Sequence, residues 1–168
     1  LKFFVLISYL LGQGFPTPKI EYDPRSYICY QTESPLLIDG KLNDSSWGNA
    51  AWTDSFVDIE GNLKPHPYFD TKVKMLWDET YFYFGAQMEE PHIWATLTER
   101  DAVIFYDNDF EIFLDPDGDT HHYYELEVNA YETEWDLLLL KPYRDQGKRS
   151  EEHTSELQSQ AYRVCRLL

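Results

Sequence analysis

Basic residues are missing from a long central part of this sequence. Between Asp101 and Asp136 there are twelve carboxylates and no lysine or arginine. Aromatic and aliphatic residues alternate with these carboxylates, and a row of like charges repels itself unless something neutralises it. A bound cation, an array of sugar hydroxyls and protonation can each do so. The segment therefore points to calcium, carbohydrate or acid–base chemistry.

The chain as a whole also has few basic residues, with 14 Lys and Arg against 30 Asp and Glu and a net charge of −16. Nucleic acids and anionic membrane surfaces bind clustered Lys and Arg, so the composition argues against both as partners. The sequence likewise contains no nucleophile elbow, phosphate-binding loop or zinc-ligand spacing. The sequence therefore disfavours the enzyme classes that these three motifs identify.

Long apolar runs are scarce too. Lys2 precedes the apolar run Phe3–Leu11, and small residues follow at 12–14. This run is too short to span a bilayer comfortably, which favours an export signal over residues 1–14 rather than a transmembrane segment. An N-terminal core strand is the alternative. We predict a secreted or periplasmic protein.

Only two cysteines are present, Cys29 and Cys165, and a disulfide between them would suit an exported protein. However, residues 149–159 read RSEEHTSELQS, which resembles the translation of a common sequencing-library adapter. The alternating pattern also stops at Tyr143. We therefore predict that the natural sequence ends near Lys148, that the domain is truncated, and that residues 149–168 form an unpacked tail, which leaves Cys29 without an authentic partner. A genuine polar helix is the competing interpretation of the tail.

Short alternating segments separated by turns make up most of the remaining chain. Residues 15–34 suit a linker that leads to an edge strand. Further strands are predicted at 35–40, 56–59, 71–77, 81–88, 109–115, 122–129 and 135–140, with a long polar loop at 89–108. The predicted core contains Trp47, Ala50, Trp77, Phe110, Ile112, Leu114, Leu126 and Val128. The pattern indicates an all-β protein, an antiparallel β-sandwich of jelly-roll type that is incomplete.

Four strings of the sequence together resemble carbohydrate-binding modules of family 9, in the group called family 9-like. They are IDGKLNDSSW, VKMLWDETYFYFGAQMEEP, DNDFEIFLDPDGD and YYELEVNA, and the resemblance covers about residues 35–143. The family implies a β-sandwich that binds polysaccharides or oligosaccharides and is joined to xylanases or other glycoside hydrolases. Its better-known members bind structural calcium. The resemblance places a family 9-like domain at residues 35–148.

The same resemblance implies a set of sugar-binding residues. Glu111 matches the family's Glu that bonds sugar hydroxyls, and the family's stacking ring falls on Phe105, beside Tyr106. A basic residue of the family is replaced by Glu127, two positions before Asn129. Trp94, in the preceding loop, is a further aromatic candidate, since rings and carboxylates together suit sugar faces and hydroxyls. The predicted site is Phe105, Tyr106, Glu111, Glu127, Asn129 and Trp94.

Asp115, Asp117 and Asp119 alternate around Gly118 and offer hard oxygen ligands, so a structural calcium ion is one prediction for this segment. A hairpin turn without an ion is the alternative, because Asp, Pro and Gly form turns unaided. We call residues 115–119 the Asp turn.

Three function classes stay open from the sequence. The first is a non-catalytic carbohydrate-binding module that assists the breakdown of xylan-type or glucan-type polysaccharides. The second is a glycoside hydrolase that uses two of the carboxylates Glu111, Glu125 and Glu127. The third is a calcium-stabilised or haem-binding sandwich domain without sugar affinity.

Overall fold

The computed structural model describes residues 25–147, 149–150 and 165–167. These residues belong to two compact units, one made of residues 1–27 and 57–67 and the other of residues 28–56 and 68–168. The predicted export signal at residues 1–14 lies outside the described residues. In the first unit, residues 57–67 contain a short 3-10 helix, Gly61–Leu63.

In the part of the second unit that the structure describes, eight strands form two sheets, so the predicted all-β fold is confirmed. The strands are β1 (Tyr30–Gln31), β2 (Thr71–Trp77), β3 (Phe82–Met88), β4 (Asp109–Leu114), β5 (Tyr123–Asn129), β6 (Glu134–Leu139), β7 (Arg149–Ser150) and β8 (Cys165–Leu167). One sheet has the order β1-β2-β3-β8 and the other β4-β5-β6-β7. Within the described ranges the chain also forms 3-10 helices, at Ser45–Gly48, Ile104–Tyr106 and Tyr143–Asp145 in this unit, but no α-helix.

The long strands pair as the alternation predicts. β2 and β3 form an antiparallel hairpin with Trp77 opposite Phe82. β4, β5 and β6 follow each other in an antiparallel order. The predicted strands at residues 35–40 and 56–59 do not form, although the Phe56 amide donates one hydrogen bond to the Thr71 carbonyl of β2. Leu36 and Ile38 pack instead against the buried Trp47.

The tail differs from its prediction at two places. Arg149–Ser150 pairs with β6, and Cys165–Leu167 pairs in parallel with β3. Unpaired backbone at a sheet edge accepts an added strand readily, which explains why short segments of any composition can extend these sheets. The other residues predicted as an unpacked tail lie outside the described residues.

The first core cluster surrounds Trp47 and lies beside the β2–β3 sheet. Trp47, Ala50, Leu76 and Tyr83 are buried together, as predicted for Trp47 and Ala50. Trp77, which was predicted to be buried, is 38% exposed because it ends β2 at the turn. Met75 and Met88 are half-buried in the same hairpin.

The second core cluster lies on the opposite side of the β4–β5 ladder from the one predicted. Ile104, Trp135, Leu137 and Leu139 are buried there, covered by Leu97, Ala102 and Val103 of the 89–108 loop. The predicted core residues Phe110, Ile112, Leu126 and Val128 are only half-buried, and Leu114 is exposed. Alternation divides a strand into two faces, but it does not say which face the rest of the chain will cover.

The β2–β3 turn depends on one carboxylate. Asp78 accepts hydrogen bonds from the Thr80 and Tyr81 amides, and Tyr83 Oη donates to it over 2.5 Å. The hydrogen bond from Tyr83 and those from the amides lower the pKa of Asp78 below its ordinary value. The folded state therefore favours the charged form of this carboxyl.

We expect Asp78→Asn to lower the free energy of unfolding by about 1 kcal/mol at pH 7, since a charge-assisted hydrogen bond to a buried hydroxyl is weakened. Because the folded pKa is depressed, this stabilisation is present above the unfolded pKa of about 4 and is lost as the pH falls below it. Urea unfolding of both proteins from pH 7 to pH 2.5 measures the difference. A difference that stays constant down to the lowest pH would contradict this assignment.

Candidate functional site

One face of the β4–β5 ladder carries a row of acidic side chains. In the antiparallel register Glu111 lies opposite Glu127, and Asp109 lies opposite Asn129. Directly opposite residues project from the same face of a sheet, as do residues two apart on one strand. Asp109, Glu111, Glu125 and Glu127 therefore share one face, which we call the acidic face.

Three of these side chains converge. One carboxylate oxygen each from Asp109, Glu111 and Glu127 lies within 4.8 Å of the other two. Glu127 is only 1% exposed, whereas Glu111 is exposed, so this carboxylate cluster begins inside the domain and opens at its surface. Glu127 Oε2 and Asp109 Oδ2 are buried and have no hydrogen-bond partner. Such oxygens are costly to bury as free anions.

The environment raises the pKa of every member of the carboxylate cluster. For Glu127 the main cause is burial, followed by the negative charges of Asp109 and Glu111. Burial is also the first cause for Asp109 and for Glu111. In the part of the chain that the structure describes, no salt bridge reaches these three residues. Arg100 instead binds Glu134 and Asp136, on either side of Trp135 in β6.

Aromatic rings flank the acidic face at both ends. Ile104 is fully buried and anchors the 3-10 helix Ile104–Tyr106, so that Phe105 and Tyr106 remain 45% and 73% exposed. The Phe105 ring centroid lies 5.8 Å from that of Trp135, which is the cross-strand neighbour of Glu127. At the other end, Phe113 is exposed and its ring lies 6.3 Å from that of Tyr123. The face thus combines carboxylates with apolar rings.

Tyr143 adds a further contact to this face. Its hydroxyl donates a 2.6 Å hydrogen bond to Glu125, which is buried. The 3-10 helix Tyr143–Asp145 follows the end of β6, and β6 pairs with β5. Phe113, Asp109 and Tyr143 were not predicted as site residues. The signal for the first two was available in the sequence, because both are two positions from Glu111 on β4.

Asn129 holds the 89–108 loop in place. Its amide nitrogen donates to the Leu97 carbonyl and to Asp107, and its amide oxygen accepts from the Tyr131 and Thr133 amides. All of its strong hydrogen-bonding positions are thereby used within the chain. The prediction that Asn129 contacts sugar stays untested, but the structure gives its amide a structural role.

Asp107 completes this connection between the loop and β5. Its carboxylate accepts from the Thr96 amide and hydroxyl and from the Leu97 amide. Burial raises its pKa, but the hydrogen bonds from Thr96, Leu97 and Asn129 outweigh this and lower the pKa of Asp107 to about 2. A charged Asp107 thus keeps the loop, and with it Phe105, beside the acidic face.

Trp94 shares a cleft with one other predicted site residue, Asn129, and with Asp109 at the start of β4. It lines this open cleft of about 220 Å³ with Phe69, Met88, Phe110 and Val128. Phe110 and Val128 alternate with Glu111 and Glu127 along the strands and so project from the opposite face. The structure therefore brings together Phe105, Tyr106, Glu111 and Glu127, but not Trp94.

The Asp turn brings its three carboxylates together, with one oxygen of each within 4.8 Å of the others. The same carboxylates also accept backbone N–H groups. Asp115 accepts from Gly118 and Thr120, Asp117 from Asp119, and Asp119 from His121. These residues fit a calcium ion by spacing and chemistry, and they also hold the turn without one.

The fold and the acidic face define an all-β domain with a surface of carboxylates and rings. The family described as Carbohydrate family 9 binding domain-like matches residues 38–162, and the chain belongs to this family. This confirms the resemblance noted in the sequence. The match continues past Lys148, so the predicted end of the natural sequence at that residue stays a prediction.

Among curated proteins, Endo-1,4-beta-xylanase C of Paenibacillus barcinonensis is similar to this chain, with 28% identity over 99 residues. The match covers 59% of this chain and 8% of the xylanase, so the chain corresponds to a small part of that enzyme. No solved structure matches the chain. Among the described residues, no helix has the length and apolar character needed to cross a bilayer.

Proposed function

We propose that the domain binds a polysaccharide or oligosaccharide on the acidic face, without catalysing its hydrolysis. The observation that carries the proposal is the exposed Phe105 ring, which packs between Tyr106 and Trp135, because Trp135 is the cross-strand neighbour of Glu127 on the acidic face. Sugar rings present C–H groups that pack on aromatic faces and hydroxyls that donate to carboxylates. Membership of the carbohydrate-binding family supports the same conclusion.

The similarity to a xylanase supports a xylan-type or glucan-type ligand and a glycoside hydrolase as the partner or neighbouring domain. Such polysaccharides lie outside the cell, so export to the periplasm or medium is part of the proposal. The apolar run Phe3–Leu11 supports export.

The hydrolase alternative is less well supported. Glu111 and Glu127 approach within 4.8 Å through their oxygens, and a raised pKa is what a general acid requires. However, Glu127 is almost completely buried, whereas a general acid must reach the glycosidic oxygen. Reducing-end release from xylan or glucan that is abolished by Glu111→Gln would favour the enzyme.

Structural calcium at the Asp turn is also part of the proposal. Its effect on stability is expected to be small, because the backbone hydrogen bonds of the turn form without the ion. The carboxylate spacing within 4.8 Å supports the ion.

Affinity electrophoresis on a panel of polysaccharides tests sugar binding. We expect Phe105→Ala to weaken binding about tenfold, as loss of ring contact costs up to about 1.5 kcal/mol. Glu111→Gln should weaken it about tenfold to a hundredfold, since charge-assisted hydrogen bonds contribute roughly 1.5–3 kcal/mol.

Two matched variants serve as controls for this experiment. Tyr30→Ala removes an exposed ring, and Glu33→Gln removes an exposed carboxylate, both outside the β4–β7 sheet. Neither should change retardation of the protein. If Trp94→Ala abolishes retardation and Phe105→Ala does not, the sugar-binding site lies in the cleft, and binding at the acidic face is refuted. The absence of retardation on every polysaccharide would refute sugar binding.

A further inference from the structure

The carboxylate cluster of Asp109, Glu111 and Glu127 has the dimensions of a divalent-cation site. Calcium binds oxygen at about 2.3–2.6 Å, so two oxygens on opposite sides of one ion lie about 5 Å apart. The three carboxylate oxygens lie within 4.8 Å of one another. One ion can therefore contact all three without rearrangement of the strands.

The buried end of the cluster points to a ligand independently of this spacing. Glu127 is 1% exposed, and its Oε2 has no hydrogen-bond partner. Asp109 Oδ2, which is also buried, has none either. Buried charged oxygens are normally paired, hydrogen-bonded or bound to a metal. The Asp turn differs in this respect, because its carboxylates already accept backbone N–H groups.

The surrounding charges strengthen the case for a cation. The segment from Asp101 to Asp136 contains no lysine or arginine, and the preceding Arg100 is engaged by Glu134 and Asp136. Glu125 adds a further buried carboxylate on the same face. An ion with two positive charges would offset this concentration of negative charge, and the exposed Glu111 leaves a path for its entry.

We propose that Asp109, Glu111 and Glu127 bind a divalent cation of the calcium class at the acidic face. Calcium takes six to eight oxygen ligands, so three carboxylates leave coordination positions for water or hydroxyl groups. The ion lies on the face that carries Phe105, and a sugar hydroxyl can replace a coordinated water. This second step rests on the proposed function, and it makes sugar affinity depend on calcium.

The test uses the full chain after treatment with a chelator and removal of the chelator. Calcium is added alone, and binding is measured by calorimetry and by the change in melting temperature. We expect binding to the wild type and an increase in melting temperature of about 5 °C at saturating calcium. Glu127→Gln should bind calcium at least about tenfold more weakly, because one anionic ligand is lost.

The same variant has a signature that a folding defect would not imitate. Without calcium, Glu127→Gln should melt at a higher temperature than the wild type. Folding of the wild type must either bury the Glu127 charge or protonate this carboxylate, and the amide of nearly equal volume avoids both costs. Glu33→Gln is the matched control, since it removes an exposed carboxylate outside the β4–β7 sheet, and it should leave the calcium response unchanged. Asp117→Asn should remove only the part of the response that comes from the Asp turn. If Glu127→Gln does not fold, Glu111→Gln takes its place in the calorimetry.

Three results would overturn the cation site. They are no calcium response in the wild type, an undiminished response in the cluster variants, and a response that disappears with Asp117→Asn alone. Electrophoresis on the polysaccharide that the wild type binds, with calcium and with chelator, tests the second step. Equal retardation in both conditions refutes the dependence of sugar binding on the ion. If the protein binds calcium but no polysaccharide retards its migration, the cation site is supported and the proposed function is refuted.

Discussion

Replacement of Asn129 with alanine is expected to lower the free energy of unfolding by about 3 kcal/mol. The side chain makes four hydrogen bonds, to Leu97, Asp107, Tyr131 and Thr133. Its removal leaves the buried Thr133 amide without its hydrogen bond to the Asn129 side chain. It also takes one of four hydrogen bonds from the Asp107 carboxylate, which keeps those from Thr96 and Leu97. Urea unfolding monitored by tryptophan fluorescence measures the loss.

Asn108→Ala is the matched control for this experiment. Asn108 is exposed, and its replacement should change stability by less than about 0.5 kcal/mol. The pair of variants also separates a structural role of Asn129 from a ligand contact. Normal stability of Asn129→Ala with loss of polysaccharide retardation would contradict the structural role and restore Asn129 to the binding site.

Trp47→Ala is expected to destabilise the domain by about 3–5 kcal/mol, the usual cost of truncating a large buried aromatic residue. Trp47 is 1% exposed and lies in a cluster with Leu76 and Tyr83. Gly85 permits its close approach, since a Cβ atom there would lie 3.2 Å from Trp47 Cη2. Chemical denaturation or calorimetric melting measures the change.

Trp77→Ala provides the comparison, because the sequence assigned both tryptophans to the core. Trp77 is 38% exposed, so its replacement should cost clearly less than that of Trp47. Equal losses for the two variants would show that the Trp47 cluster does not carry the stability assigned to it.

The acidic face itself illustrates a conflict between function and stability. A buried Glu127 beside Asp109 and Glu111 opposes folding unless a proton, a cation or a ligand compensates it. Positions where local rules are violated are frequently functional sites. The hydrogen bonds of Asp107 and Asn129, which fasten the loop with Phe105 beside this face, provide the rigid frame that such a site requires.

Several features of the site could be predicted from the sequence. A period of two along Asp109–Leu114 and Tyr123–Asn129 places Glu111 and Glu127 on a common face, whatever the rest of the chain does. The same period, with Asp-containing turns between the strands, is enough to indicate an antiparallel all-β fold. These properties are local, because they depend on residues a few positions apart and on the geometry of a pleated strand.

Which face of the strands is buried was decided only by tertiary structure. The sequence favoured Phe110, Ile112, Leu126 and Val128 as core, since they are the more apolar set. The 89–108 loop instead packs against Trp135, Leu137 and Leu139, and Glu125 and Glu127 are buried on the same side of the sheet. Which face is covered depends on contacts between residues that are far apart in the sequence. Alternation along one strand does not encode these contacts.

The separation of Trp94 from Phe105 has the same origin. Both residues lie in one loop, eleven positions apart, but hydrogen bonds fix the path of the chain between them. Asp107 accepts from the Thr96 and Leu97 amides, and Asn129 donates to the Leu97 carbonyl. Composition and spacing by themselves determined that this is an acidic, aromatic β-sandwich with paired carboxylates on β4 and β5. Only the folded chain determined which rings meet those carboxylates, because that depends on where buried polar groups find their hydrogen-bond partners.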